Sequence, residues 1–173
     1  MAVGSVLNYN SATVADTVYH KGVLIARDVE FELPEITPAT ADIQATGKMA
    51  APIPSQLEDM ECKITKIGED KGLKGLISAN LQGVTLEFRW VEDEIDHLSA
   101  IHRKGCKAFI SGYIKTFPGM KISPGEVTEN EVTIAVTKYK LFVNGDPYYY
   151  IDRFNHKVLV GGKDVYETIN PLL

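Results

Sequence analysis

Two dipeptides, Asn144-Gly145 and Gly161-Gly162, constrain this chain more than any other feature in it. A two-residue turn between antiparallel strands needs positive φ, which Asn and Gly adopt most readily. The first dipeptide follows Val132–Val143, a run rich in β-branched and aromatic residues that suits a pleated, half-buried surface. A second strand is expected from Tyr148 to Val160, and a third at Asp164–Thr168, after the second turn. Pro147 has no N–H to donate, so the second strand should begin at an edge or beside the turn. Val132–Tyr166 therefore reads as three consecutive antiparallel strands.

The first of these strands changes parity. Val132, Ile134 and Val136 point to one face, but Tyr139, Leu141 and Val143 have the opposite parity. A slip of one residue moves every later side chain to the other face. A bulge near Thr137–Lys138 accounts for this, as does a strand that leaves one sheet and joins another. A sheet buried on both faces is the simpler alternative.

Short strands are expected before this region. Thr17–Tyr19 and Gly22–Ile25 flank His20-Lys21, and Val29, Phe31 and Leu33 alternate inward against Asp28, Glu30 and Glu32. Residues 1–12 are small and polar, an ordered arm or a loose end. Glu61–Ile67 alternates as a short strand. The best helix follows: Asp70 can cap it, Leu73, Leu76, Ile77 and Leu81 form one apolar stripe, and Gly83 can stop it. Val84–Trp90 and Cys106–Phe117 read as strands. Between them, Ile95, Leu98 and Ile101 recur every third residue with Gly105 beyond, which fits a short helix, a loop or a strand. Pro118-Gly119 and Pro124-Gly125 bracket a loop. The total is about seven or eight strands with one or two helices, a mainly β domain of sandwich or small-barrel type with a helix against it.

Pro34–Met60 stands apart. It holds Pro34, Pro38, Pro52 and Pro54, many Ala and Thr, and few large apolar residues. A structureless loop of that length is uncommon in a compact domain. Gly47-Lys48 sits near its centre as a hairpin tip, with arms at about Ile36–Gln44 and Pro52–Leu57. Such a hairpin buries too little to be stable alone and leaves its strand edges open. It is either an assembly arm or a disordered Pro/Ala/Thr loop.

Chemistry is sparse. His97 and His102 do not share a helix face, and His20 and His156 stand alone. Cys62 and Cys106 match no zinc or disulfide spacing and read as reduced, buried thiols. Glu92, Asp93, Glu94 and Asp96 lack the alternation of a calcium loop, and Glu58, Asp59 and Glu61 likewise read as a solvated face. No phosphate-binding glycine motif occurs. Tyr148, Tyr149 and Tyr150 have no basic run beside them in sequence and are assigned to strand packing or a subunit contact rather than to stacking on bases. The net charge of −5 argues against a dedicated nucleic-acid binder. No secretion signal and no membrane-spanning run is visible. These observations point to no enzyme, no cofactor and no metal. The 173 residues read as one domain, with 34–60 as an extended hairpin.

With these residues in view, the chain resembles the major tail tube proteins of contractile phage tails. Three features carry the resemblance. The first is the closing pattern Tyr139-Lys140-Leu141, Asn144-Gly145, Ile151-Asp152 and Gly161-Gly162-Lys163-Asp164. The second is Leu33-Pro34 opening a small-residue arm that turns at Gly47. The third is Leu57-Glu58-Asp59 before a strand and short helix. Their order spans residues 17 to 170. Gly161-Gly162 stands where Asn-Gly is more typical, and Glu92–Lys104 has no clear family pattern.

The resemblance implies a β-sandwich or barrel-like tail-tube fold with a flanking helix. It implies homo-hexameric rings that stack into a tube inside a contractile sheath, made in the bacterial host cytoplasm and carried in a phage tail or a phage-tail-like bacteriocin. Implied partners are the tail sheath protein, the baseplate or hub, the tail terminator, and a tape measure protein or DNA in the lumen without tight binding. On this reading the arm residues Ile36, Thr40, Asp42, Gln44, Gly47, Lys48, Pro52 and Leu57 are inter-subunit or lumen-facing, and Asn144, Gly145, Gly161 and Gly162 are structural turns. The rival reading is a free-standing β-sandwich binding module with residues 34–60 as its ligand loop.

Overall fold

The structure is a computed structural model that describes residues 9–44, 47–67, 71–79, 83–95, 99–119, 123–126 and 128–172. The strands in chain order are β1 (Tyr9–His20), β2 (Val23–Arg27), β3 (Glu30–Glu32), β4 (Pro38–Gln44), β5 (Lys48–Leu57) and β6 (Glu61–Ile67), then β7 (Val84–Ile95), β8 (Ile101–Thr116), β9 (Glu129–Val143), β10 (Asp146–Asp152), β11 (Lys157–Val160) and β12 (Lys163–Asp164). One helix, α1 (Lys71–Ala79), lies between β6 and β7. All strands except β4 and β5 belong to one ten-stranded antiparallel sheet, ordered β12-β11-β10-β9-β8-β7-β1-β2, with β6 and β3 branching from β9.

The parity change in β9 is the organising point of the sheet. Ser111 pairs with Lys138 and Gly112 with Val136, so Thr137 is an extra residue, a β-bulge. Its hydroxyl donates to the Ser111 carbonyl at 3.0 Å, satisfying an oxygen beside the disrupted ladder. The other edge of β9 changes partner at the same place. Glu129–Ala135 pairs with β6, whereas Lys138–Val143 pairs with β10. The bulge expected from the sequence is therefore present, while the alternative of a strand passing from one sheet to another is not: β9 changes neighbour within a single sheet. Val132, Ile134 and Val136 are buried before the bulge and Tyr139 after it.

The branch closes back over the sheet. Phe31 on β3 meets Phe88 on β7 at 4.8 Å between ring centroids and Trp90 at 5.7 Å. Between these layers lies one contiguous core. It draws Met60, Cys62, Ile64, Val132 and Ile134 from around the branch and Val18, Leu86, Phe88, Ile110, Tyr139 and Ile151 from the sheet, while Leu76 brings in α1. This is the expected mainly β, sandwich-like fold with a flanking helix.

Both glycine turns form as expected. Asn144 and Gly145 have φ of 49° and 87°, and Gly161 and Gly162 have 56° and 80°. The second strand differs from expectation. Tyr148–Val160 is not continuous but breaks at residues 153–156 into β10 and β11, with His156 at φ 46°. The third strand spans only Lys163–Asp164 rather than Asp164–Thr168, because the chain then enters successive turns. Among the described residues there are twelve strands rather than the seven or eight expected, several of them short, and the break at 153–156 makes two of one.

Residues 92–104 contain neither a helix nor a long loop among the described positions. β7 and β8 continue in register out to Ile95 opposite Ile101. Opposite charges face each other across this hairpin: Glu92 and Lys104 at 3.3 Å, and Asp93 and Arg103 at 3.0 Å, with Glu94 opposite His102. The acidic run is therefore paired and half-buried rather than a solvated face. Opposite charges placed directly across an antiparallel pair stabilise the sheet. Of the three readings open from the sequence, strand is the one found, and the three-residue recurrence is not helical because Ile95 and Ile101 belong to opposite strands. Leu98 and Asp96 lie outside the described residues. In α1, Leu76 is buried and Ile77 half-buried; Asp70 and Leu81 lie outside the described residues.

Candidate assembly arm

Among the described residues β4 and β5 pair only with each other and form a separate two-stranded sheet. The register runs from Ala39 opposite Ile53 to Gln44 opposite Lys48. Gly47 lies in the tip at φ 133°, a conformation open to glycine. Residues 45–46 of the tip lie outside the described positions.

Period-two alternation gives the arm two unlike faces. Ala39, Ala41 and Ile43 share a face with their partners Ile53, Ala51 and Met49. Thr40, Asp42, Gln44, Lys48, Ala50 and Pro52 share the other. The polar face is held in part by a surface ion pair from Lys48 to Asp42 at 2.8 Å. Toward the tip none of the described residues covers the apolar face: Ile43 is 44% exposed and Met49 56%. Thr40, Asp42, Gln44, Lys48 and Pro52 all lie exposed on the polar face. Ile36 and Leu57 lie elsewhere. They are half-buried against the main core and root the arm in the body. The residues missed by sequence reasoning are those of the apolar face, Ala39, Ala41, Ile43, Met49, Ala51 and Ile53. Their alternation was present in the sequence, but three of the six are alanines, too small to stand out by hydrophobicity.

The root is gripped from the far end of the chain. The Arg153 guanidinium donates to the Leu57 carbonyl at 2.7 Å, to the Glu58 carbonyl, and to the Asp59 carboxylate at 3.5 Å. The Tyr166 hydroxyl donates to the Ser55 carbonyl. Glu58 N–H closes the base on the Thr37 carbonyl at 2.9 Å. Hydrogen bonds from a charged group are about twice as strong as neutral ones. Arg153 therefore fixes the angle at which the arm leaves the body. No sequence pattern links it to residues 57–59, because the contact depends on the break between β10 and β11.

The tyrosine triplet also reads differently in space. Tyr149 turns inward and stacks on Tyr139 at 6.2 Å, as strand packing predicts. Tyr150 faces out between the Lys140 and Lys157 ammonium groups, at 4.3 and 4.9 Å from its ring centroid. Lys138 adds an ion pair to the buried Asp152 at 2.7 Å. Basic neighbours thus surround the ring, contributed by adjacent strands rather than by adjacent residues. Burial works to raise the Asp152 carboxyl, but hydrogen bonds from Lys138 and Asn155 outweigh it and hold the group below the usual carboxylate range.

The remaining candidates have structural environments. Cys62 and Cys106 are free and buried, and burial, with the charge of Glu32 second, pushes the Cys62 thiol up to about 12. A thiol so held is un-ionised and unreactive at neutral pH. His20 bonds the Thr85 carbonyl at 3.0 Å and His156 sits edge-on to Tyr166. His97 lies outside the described residues. Among the described residues no cluster of His, Cys, Asp and Glu could hold a metal, and no helix is long and apolar enough to cross a membrane.

The family model described as phage tail tube protein FII matches residues 15–171. Among solved structures, the sheath/tube terminator of an extracellular contractile injection system, PVC, in its extended state is similar at a TM-score of 0.55 and 10% identity, covering 78% of this chain and 97% of that one. The tube-terminating cap of the anti-feeding prophage is similar at a TM-score of 0.54 and 13% identity, covering 82% of this chain and 99% of that one. At these identities the likeness shows the fold alone. No curated protein sequence matches significantly.

Proposed function

Because this chain belongs to the phage tail tube protein FII family, a family of structural components of the virion tail and not of enzymes, we propose that it is the repeating subunit of a contractile-tail inner tube. In this reading six copies close into a ring, and rings stack into a hollow conduit for DNA or ions through the target envelope. The sheath encloses the tube, a baseplate or hub and a terminator bound its ends, and a tape measure protein or DNA occupies the lumen without tight binding. A phage and a phage-tail-like bacteriocin use such a tube equally well.

The arm is the observation that carries this reading. It is a two-stranded sheet whose apolar face is exposed toward its tip, and such hairpins are marginal in water unless something packs on them. Pairing between copies supplies that packing and removes open strand edges. Thr40, Asp42, Gln44, Gly47, Lys48 and Pro52 are assigned to the contact or to the lumen, and Ile36 and Leu57 to its root. The free-standing binding module remains the competing account of the same segment.

A terminator ring is a second reading, favoured by the fold shared with a terminator and a cap. Size exclusion and negative-stain microscopy of the purified chain separate the three. Stacked tubes support the tube subunit, single rings that do not stack support the terminator, and a monomer at every concentration supports the binding module.

A further inference from the structure

The two outer edges of the arm are not equivalent. In an antiparallel ladder, opposed residues alternate between pairs that exchange both N–H···O bonds and pairs that exchange none and turn these groups outward. Thr40 stands opposite Pro52, which has no N–H to exchange. That pair must be of the outward kind, and the alternation fixes the others. Ala41 with Ala51 and Ile43 with Met49 hold the arm together. Thr40, Asp42 and Gln44 on β4, and Lys48, Ala50 and Pro52 on β5, direct their backbone groups away from it.

On β5 this outward edge is damaged. Pro52 removes one donor, and Pro54, two residues on and beside the register shift at the arm's base, removes the next. Only Lys48 and Ala50 near the tip keep theirs. Prolines on an edge strand block the addition of another strand. On β4, Pro38 at the arm's base also lacks a donor, but beyond the register shift the outward edge is intact through Thr40, Asp42 and Gln44, three successive positions each with a donor and an acceptor. Among the described residues β4 pairs with β5 alone, so none of them completes this edge.

We propose that the arm joins a second copy of this chain by strand addition along the β4 edge, through Thr40, Asp42 and Gln44, and that Pro52 and Pro54 exclude the β5 edge from pairing. The tube function proposed above supplies this strand from a second copy, and two features of the arm suit strand addition. A strand added beside β4 widens the narrow apolar face of Ala41, Ile43, Met49 and Ala51, which the subunit leaves exposed toward its tip. One open edge and one blocked edge also allow addition on a single side, so each arm takes one partner strand and cannot nucleate unlimited sheet growth. This inference rests on the arm being an assembly element and adds which edge acts.

Asp42 and Ala50 lie directly opposite each other, both with outward N–H groups, so they give a matched test. Asp42→Pro and Ala50→Pro each delete one outward donor and spare the arm's own bonds. Asp42→Asn controls for the lost ion pair with Lys48, and Thr40→Pro is a second variant on the same edge. Full-length proteins are checked for folding by circular dichroism, and assembly is read by sedimentation and negative stain. The Ala50→Pro and Asp42→Asn proteins are expected to form rings and tubes like the parent. The Asp42→Pro and Thr40→Pro proteins should remain folded subunits, with the assembled fraction down at least about tenfold, a shift of about 1.4 kcal/mol. The edge assignment is overturned if folded Asp42→Pro and Thr40→Pro assemble normally, or if Ala50→Pro fails as they do. A parent protein that never assembles instead strikes the proposed function.

Discussion

Gly112 gives the sharpest local test of the fold. It lies on β8 opposite the bulge, where β9 changes partner. A Cβ built there would stand 2.0 Å from the Ala135 carbonyl oxygen and 2.9 Å from its carbon. The obstacle is backbone in the middle of a sheet, not the end of a flexible side chain. To reach even 3.0 Å, the two strands must separate by about 1 Å at the point where Thr137 bridges them. Overpacking typically costs 1–3 kcal/mol, and a backbone clash at a sheet centre belongs at the top of that range, about 3 kcal/mol. For a chain of this length each kcal/mol moves the melting temperature by roughly 2–4 °C, so Gly112→Ala should lower it by about 6–12 °C. On the same strand, a methyl group added at Gly105 would meet nothing within 4 Å, so Gly105→Ala is the control and should stay near the parent. Thermal unfolding by circular dichroism on both variants decides the matter. A Gly112→Ala protein melting within about 2 °C of the parent would falsify the bulge-centred register.

Three further outcomes are expected. Gly145→Val puts a β-branched side chain at φ 87° and should cost about 1–3 kcal/mol, seen as a lower melting temperature; an unchanged melt would refute the turn's role. Asp152 has a depressed folded-state pKa, so its contribution is present above its unfolded value near 3.8 and is lost as pH falls through the lower folded value. Asp152→Asn should therefore destabilise the protein at pH 7 and flatten the acid limb of a urea-midpoint profile below about pH 4, whereas a parallel limb would assign that limb to other carboxylates. Assembled tubes should show no salt-dependent submicromolar binding to duplex or single-stranded DNA at physiological salt, because Lys138, Lys140, Lys157 and Arg89 are engaged by Asp152, Tyr150 and Glu87; fluorescence anisotropy showing such binding would overturn the inert conduit.

The features legible in the sequence were those encoded locally. Asn144-Gly145 and Gly161-Gly162 fix their turns through backbone sterics alone. The parity change across Val136 and Tyr139 announced the bulge, because period-two burial cannot otherwise be kept on both sides. The arm was legible from its prolines and its central glycine. What stayed hidden depended on contacts between distant segments. The hairpin of Glu92, Asp93 and Glu94 with Lys104, Arg103 and His102 is specified by pairing across a tip, and each half alone looks like a charged loop. Arg153 reaches Leu57 and Glu58 only because the chain breaks between β10 and β11. The basic surroundings of Tyr150 come from Lys140 and Lys157 on neighbouring strands. The apolar face of the arm was overlooked because alanine gives little hydrophobic signal, although its alternation follows the same rule that revealed β9.

Removing the arm tests the central claim most directly. Deleting Thr37–Ser55 and bridging the gap with a short Gly/Ser linker leaves the ten-stranded sheet and the contacts of Arg153 with Leu57 and Glu58 in place. Loop-closure entropy changes slowly with length, so the subunit should stay folded by circular dichroism. Electron microscopy should then show no rings and no tubes at concentrations where the parent assembles. Tubes formed by the folded, armless protein would contradict the account.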